Sequence, residues 1–320
     1  MKTFPFNLWV LAGIALCSPV IGQAPEKRSQ LGHCGGVHLR MVDAVPKMAA
    51  NRGGGFQIDD TYDASVTAAQ QAVIAFAVAE WDATLLTAGI NPASYPISFR
   101  FGQTQNQNAL AEANTTWFSS SGMLVSSEVV FNQNVQWYVD PNPASDDEFQ
   151  SGFQNQFDLL TVARHEIGHA LGWVGTGNPL VHNFVSGSTF DASGLNIALR
   201  VGDEAHSSDG EHPEDVMNFS LGSWTRRPVS AYPSVALISQ AFSYTLSDVF
   251  FADPNRSGSG NGTVWFPFDS FWQGYVAAAA VPGGGTLVLY PGSFQESLPH
   301  HFTSKVQFMS VRGSGTELQD

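Results

Sequence analysis

Residues 159–173 place two histidines in an otherwise apolar helical pattern, and they constrain the fold more than any other part of the chain. His165 and His169 are four residues apart, so on a helix both imidazoles lie on the same side, one turn apart. Apolar residues occupy the other positions around the helix, which predicts a buried element. Buried histidines need partners, because an unpaired polar group in the interior costs free energy.

A divalent metal ion is the partner that this spacing predicts. Two neutral imidazoles from adjacent helical turns supply two ligands of a tetrahedral Zn²⁺ site. Glu166 follows the first histidine about 100° around the helix, where its carboxylate reaches a water on the metal rather than the metal itself. A zinc-bound water has its pKa lowered to about 7, and a neighbouring carboxylate can take its proton and later return it. The pattern predicts hydrolysis of peptide bonds, with His165 and His169 as ligands and Glu166 as the catalytic residue. The alternative is a helix whose histidines are satisfied within the core.

Charge excludes two classes of partner. The chain of 320 residues has 28 acidic and 14 basic side chains, which gives a net charge of −14. Nucleic acids and anionic membranes attract clusters of Lys and Arg, so we expect no nucleic acid and no membrane as partner. Beyond the N-terminal segment, no run is long and apolar enough to predict a transmembrane helix.

The first residues are typical of an export signal. Lys2 precedes an apolar run over 8–17 that is too short to span a bilayer. Val20 and Gly22 then supply the small residues that precede a cleavage point. We therefore expect residues 1–22 to be a signal peptide and the mature protein to be secreted.

Residues 23–55 are basic at first and then rich in glycine, which predicts a propeptide or a flexible N-terminal segment. They contain Cys34, the only cysteine after the expected signal peptide, so no internal disulfide is possible. A thiolate in this segment can cap a metal ion in a latent precursor. The alternative is an inert free thiol.

The pattern over residues 56–246 predicts one α+β domain. Residues 65–88 carry a helical apolar stripe, whereas residues 97–101 and 195–201 alternate as half-buried strands do. The histidine-bearing segment is a second helix, and residues 231–242 predict a third. The sequence thus indicates a small sheet packed with three helices.

A catalytic zinc ion needs a third protein ligand and one position for water. The stretch beginning at His165 resembles the motif of metzincin zinc endopeptidases, His-Glu-x-x-His-x-x-Gly-x-x-His, in which the glycine turns the chain toward the third histidine. Gly172 stands at the glycine position. Met217 resembles the methionine of the metzincin Met-turn, which packs beneath the ligands. The resemblance implies a zincin-like α+β fold, a Zn²⁺ cofactor and protein or peptide substrates.

The chain departs from the motif at Gly175, which stands where the third histidine is expected. In this respect it is similar to metzincins of the leishmanolysin type, in which an insertion separates the glycine from a histidine that precedes the methionine. The resemblance therefore implies His206 as the third ligand, with His212 as the alternative. His182 lies nearer in sequence but in a loop rich in glycine and asparagine. The residues after Met217 resemble those of secreted bacterial, matrixin-like members.

Other roles at the site have several candidates. A different branch of zinc peptidases uses a carboxylate as third ligand, and four acidic residues near the histidines can serve: Asp203, Glu204, Glu211 and Glu214. The donor that stabilises the oxyanion is not assigned by the sequence, although Tyr232 and Tyr244 lie in suitable regions.

Residues 247–320 differ from the preceding domain in their sequence pattern. A predicted helix followed by short strands resembles the opening of a right-handed parallel β-helix, as in pectate-lyase-like proteins. This resemblance allows contact between the C-terminal segment and an extracellular glycan. The alternative function is therefore a non-catalytic polysaccharide-binding or adhesin-like module with a degenerate zincin domain. The intact Glu166 favours the enzyme, because the fold itself does not need that carboxylate.

Overall fold

The computed structural model describes residues 31–33, 38–42, 56–85, 93–145, 155–191, 196–211, 215–223, 225–227, 229, 234–244, 246, 248–258, 260–263, 266–282, 284–290, 292–295, 306–310 and 316–319. The described residues group into two compact units, one within Gln30–Ser247 and one within Asp248–Asp320. None of the helices described has both the length and the apolar character needed to cross a bilayer.

The larger unit mixes helices and strands. Its strands are β1 (Leu31–His33), β2 (His38–Val42), β3 (Gln57–Tyr62), β4 (Ser94–Gly102), β5 (Ala111–Phe118), β6 (Leu124–Asn132), β7 (Trp137–Tyr138), β8 (Phe157–Asp158), β9 (Val185–Ser186), β10 (Thr189–Phe190), β11 (Ile197–Arg200), β12 (Asp203–Ser207) and β13 (Ser220–Gly222). Its helices are α1 (Ala68–Thr84), α2 (Leu159–Ala170), α3 (Pro179–His182) and α4 (Ser234–Phe242), and a 3-10 turn covers Gly175–Gly177.

The main sheet has the strand order β2-β5-β6-β4-β3. Strand β5 runs antiparallel to β6, whereas the other neighbouring pairs are parallel. Alternate side chains of β4, namely Tyr95, Ile97 and Phe99, are buried on one face of the sheet. Helix α2, which carries the paired histidines, packs against β5, β6 and α1. This α+β arrangement agrees with the sequence-based expectation.

Two strands near the site were not predicted from the sequence. Strand β5 carries small and polar residues, yet most of it is buried because it lies between β6 and β2. Strand β12 begins with two acidic residues and lacks the apolar alternation typical of a strand. It is extended because it pairs with β11. Helix α1 ends at Thr84, before the predicted end, and the predicted loop after α2 contains the short helix α3.

The start of helix α2 is fixed by Asp158. Its carboxylate caps the helix by accepting hydrogen bonds from the Thr161 backbone N–H, at 3.1 Å, and from the Thr161 hydroxyl, at 2.7 Å. The same carboxylate forms a buried ion pair with Arg226, whose guanidinium also contacts Asp140 at 2.6 Å. Further along the helix, Arg164 pairs with Glu80 of α1 at 2.7 Å. These contacts hold the histidine-bearing helix in one position.

Asp158→Ala is expected to lower the free energy of unfolding by about 3 kcal/mol, because it removes the cap and breaks a buried ion pair. In a unit of this size, that corresponds to a fall of roughly 6–12 °C in the melting temperature, measured by circular dichroism. Asp191→Ala is the control, since Asp191 is exposed and should change stability by less than about 0.5 kcal/mol. Equal melting temperatures for the two variants would contradict the anchoring role.

The smaller unit contains β14 (Val249–Ala252), α5 (Phe271–Ala279), β15 (Thr286–Leu289), β16 (Gly292–Gln295), β17 (Gln307–Ser310) and β18 (Thr316–Gln319). Strands β14, β15 and β17 form one parallel sheet, and β16 pairs in parallel with β18. Phe271, Leu287 and Phe294 belong to its apolar core. The β-helix interpretation of this segment stays a prediction. Among its described residues, no feature supports contact with a glycan.

Candidate metal centre

Three histidine side chains converge in the interior of the larger unit. His165 and His169 come from α2, and His206 comes from β12. Their ring centroids lie between 4.6 and 5.2 Å from one another. One nitrogen of each ring lies within 4.8 Å of the other two, and all three residues are buried. Of the described residues, these three form the group that can hold one metal ion.

The hydrogen bonds of the two helical histidines fix their tautomers. His165 Nδ1 lies 2.6 Å from the carbonyl oxygen of Val216, and His169 Nδ1 lies 2.6 Å from that of Trp173. A carbonyl oxygen only accepts, so each Nδ1 carries the proton and donates it. In a neutral ring, Nε2 then presents a lone pair. The two Nε2 atoms face each other at 2.9 Å, an arrangement that a shared cation stabilises.

Burial keeps the helical histidines neutral. It lowers the pKa of His165 well below its ordinary value, and the neighbouring His169 and His206 lower it further. Burial, followed by the effect of His206, lowers the pKa of His169 to about 3. Metal binding requires deprotonated imidazole nitrogens, so both rings are in the form that binds a metal ion at physiological pH.

His206 differs in its partner. Its Nδ1 donates to the carboxylate of Asp203 at 2.8 Å, which leaves Nε2 to point toward the other two rings. Nε2 of His206 is buried and has no hydrogen-bond partner among the described residues. Three buried lone pairs at one point suit a zinc ion, which takes three imidazoles and keeps a fourth position for water. The donor set therefore fits zinc.

Glu166 follows His165 on α2 and is fully buried. Neither of its carboxylate oxygens has a hydrogen-bond partner among the described residues. Burial raises its pKa well above the ordinary value, and the charge of Glu112 on β5 raises it further. A buried carboxylate without a partner is costly, so it indicates a functional role rather than a structural one.

Gly172 turns the chain sharply after α2. Its φ of +126° is a conformation that residues with a side chain rarely adopt. A Cβ at this position would lie 2.2 Å from the ring of Phe242 on α4. The turn brings the carbonyl of Trp173 back to His169, so the glycine that the sequence analysis singled out orients the second histidine.

Met217 packs against α2, the helix that carries two of the three histidines. It is fully buried, and a Cβ on Gly168 of α2 would meet its sulfur at 2.3 Å, so methionine and helix are in close contact. The backbone around it joins the two elements that carry the histidines. The backbone carbonyl of Val216 accepts a hydrogen bond from Nδ1 of His165 on α2. The carbonyl of Met217 accepts one from the Ser207 N–H on β12 at 3.0 Å.

Gly175, where the metzincin motif has its third histidine, packs instead against β12. A Cβ on this residue would lie 3.0 Å from the backbone nitrogen of Ala205, next to His206. Its φ of +64° is also in the left-handed region. The absence of a side chain at 175 therefore makes room for the strand that carries His206.

The remaining predicted candidates have different positions. Asp203 faces Nδ1 of His206 rather than the point that the three histidines share, and His182 is exposed at the end of α3. Tyr244 is buried and packs edge-on against Phe56 at 5.2 Å. Several candidates lie outside the described residues: Cys34, His212, Glu214 and Tyr232. The hydrogen bond between Asp203 and His206 was not predicted from the sequence, although the spacing of three residues between them is compatible with it.

The chain has partial similarity to one known family. Residues 55–183 match the matrixin family model. This matrixin-like region covers less than half of the 320 residues. It includes His165, Glu166, His169 and Gly172 but ends before His206. No curated protein and no solved structure is similar enough to the chain to count as a match.

The matrixin match supports a metzincin-type zinc metallopeptidase with an α+β fold that acts on proteins or peptides. The family comprises zinc enzymes, and the convergence of three histidines agrees with that cofactor. Because the matrixin-like region ends at residue 183, the match says nothing about the third ligand.

Proposed function

We propose that the chain is a secreted zinc endopeptidase in which His165, His169 and His206 hold the metal and Glu166 is the catalytic residue. The observation that carries this proposal is the convergence of three buried imidazole nitrogens, together with a buried carboxylate without a partner on the helix that supplies two of them. The displaced third histidine and the glycine at 175 favour a leishmanolysin-like arrangement over the usual matrixin one.

Zinc bound by the three histidines would polarise the scissile carbonyl and lower the pKa of an attacking water. Glu166 accepts the proton of that water and later donates it to the nitrogen of the leaving amine. Its buried position excludes bulk water, which strengthens the electrostatic effect of the carboxylate on the reacting atoms. The carbonyls of Val216 and Trp173 keep two imidazoles in the tautomer that this reaction needs.

Zinc content and casein cleavage test this function together. We expect the purified protein to contain about one zinc ion and to cleave casein, since a structural zinc site would not produce turnover. Removing the metal with 1,10-phenanthroline should abolish cleavage, and added Zn²⁺ should restore it. Glycan binding without chelator-sensitive cleavage would instead support the alternative, a degenerate zincin domain in a polysaccharide-binding or adhesin-like module.

Export is the second part of the proposal and depends on the pattern over residues 1–22. We expect expression with the native N-terminus to release protein into the medium or periplasm, with a new N-terminus at Gln23. N-terminal sequencing of the released protein tests this. A product that keeps Met1 would contradict the proposed signal peptide.

Strands β1 and β2, which belong to the N-terminal segment 23–55, affect how a peptide substrate can reach the site. Strand β2 pairs in parallel with β5, and β1 pairs with β13, which begins three residues after Met217. Strand β5 packs against α2, the helix that carries Glu166, and the charge of Glu112 on this strand raises the pKa of Glu166. An extended peptide that binds by adding a strand to β5 would compete with β2 for the same backbone groups.

Deleting residues 23–55 is therefore expected to raise the initial rate of peptide cleavage, because it frees the edge of β5. The rate on a fluorogenic peptide is measured for the full chain and the deletion variant at equal zinc content. A synthetic peptide of residues 31–42 added to the deletion variant should lower the rate again. A deletion variant with unchanged melting temperature and unchanged rate would argue against a propeptide role.

A further inference from the structure

The three histidines are not held in the same way. His165 and His169 donate to backbone carbonyls, which carry no net charge. His206 alone donates to a side-chain carboxylate, that of Asp203.

The backbone around His206 gives it little support from regular strand pairing. In the register of β11 and β12, Arg200 lies opposite Asp203. The neighbouring residue of β11, Leu199, lies opposite Ser207. The residues between, 204–206, form an irregularity with no partner on β11. A histidine in such a stretch needs a side-chain contact to fix the direction of its ring.

Asp203 is itself held by a cation. Nη1 of Arg200 lies 3.2 Å from the Asp203 carboxylate oxygen that accepts from His206. The Arg200 guanidinium stacks over the ring of Phe219, with 3.6 Å to the ring centroid, and Phe219 contacts the His206 ring edge-on at 5.0 Å. Asp203, Arg200, Phe219 and His206 thus form a closed ring of contacts.

We propose that Asp203, oriented by Arg200, is a positioning residue that sets the tautomer and direction of the third histidine and raises the affinity of the site for Zn²⁺. This inference rests on the proposed zinc site. A carboxylate behind a ligating imidazole fixes the ring and makes its free nitrogen more basic, and loss of such a partner weakens metal binding by about 10–100-fold.

The test compares the dissociation constant for Zn²⁺, measured by competition with a chromophoric chelator, in four proteins. In Asp203→Asn the constant should rise by about 10–100-fold relative to the unmodified chain. Asp209→Asn is the matched control, because Asp209 also faces Arg200, at 3.7 Å, but has no hydrogen bond to His206. We expect it to change the constant less than about threefold, as an exposed ion pair contributes little.

Arg200→Lys is the fourth protein, and it keeps a positive charge while removing the planar guanidinium that stacks on Phe219. We expect an intermediate rise in the Zn²⁺ dissociation constant, and a visible spectrum of the Co²⁺-substituted protein that shifts in the same direction as for Asp203→Asn. This variant also supplies a result should Asp203→Asn fail to fold, because Arg200 lies partly at the surface. An unchanged constant and spectrum in Arg200→Lys would then overturn the proposal.

The outcomes separate this inference from the zinc site itself. An Asp203→Asn protein that binds Zn²⁺ as tightly as the unmodified chain, or no more weakly than Asp209→Asn, would overturn the positioning role and leave the zinc site standing. If the unmodified chain bound no Zn²⁺, the proposed function would fail first.

Discussion

Glu166→Gln is expected to lower the rate of casein cleavage by about 10²–10⁴-fold while the protein keeps its zinc. The amide has nearly the shape of the carboxylate, but it cannot take a proton from the attacking water. The carboxylate is fully buried and without a partner, so its removal should leave the fold intact or stabilise it slightly. Activity and bound zinc are measured on the same preparation.

Glu112→Gln provides the matched control for this variant. Glu112 is also buried, but its carboxylate accepts hydrogen bonds from the backbone N–H groups of Gln105 and Asn106 at 2.7 Å. We expect a change of less than about tenfold in the cleavage rate, because a backbone-bound carboxylate is not aimed at the reacting atoms. Comparable losses in Glu112→Gln and Glu166→Gln would remove the reason to assign the base to Glu166.

His206→Ala should have the second large effect, a loss of zinc binding of at least about 10²-fold. Without His206 the site lacks the third protein ligand of a catalytic zinc ion. His165 and His169 alone supply only two of the four ligands in tetrahedral coordination. Zinc content after dialysis against a weak chelator measures the loss. Casein cleavage should fall in proportion to the zinc that is lost.

His212→Ala is the control that decides between the two histidines left open by the sequence. We expect this variant to retain zinc and activity, since His206 already completes the group of three. Zinc loss in His212→Ala together with zinc retention in His206→Ala would transfer the ligand role to His212. Such a result would also remove the basis of the positioning role proposed for Asp203.

The helical part of the site was readable from the sequence because its geometry is local. Two residues four apart on a helix face the same way whatever the rest of the chain does, so His165, Glu166 and His169 could be placed together. Gly172 was readable for a similar reason, since its unusual φ is a property of one residue.

The third histidine was not fixed by local geometry. Its position depends on the register of β11 and β12, on the irregularity at 204–206 and on the space that Gly175 leaves. None of these follows from helical or strand periodicity, so only a family resemblance could favour His206 over the other histidines. The acidic residues of β12 made the strand hard to predict from the sequence. For the same reason Asp203 was considered as a metal ligand, whereas its carboxylate accepts a hydrogen bond from His206.

X-ray absorption at the zinc edge of the purified, unmodified protein tests the coordination most directly. The structure predicts one zinc ion per chain with three imidazole nitrogens at about 2.0–2.1 Å and one further oxygen ligand. In His206→Ala the imidazole signal should fall from three to two or the zinc should be lost. A spectrum fitted by two imidazoles with a protein carboxylate or a sulfur, or a chain that holds no zinc at all, would contradict the site formed by His165, His169 and His206.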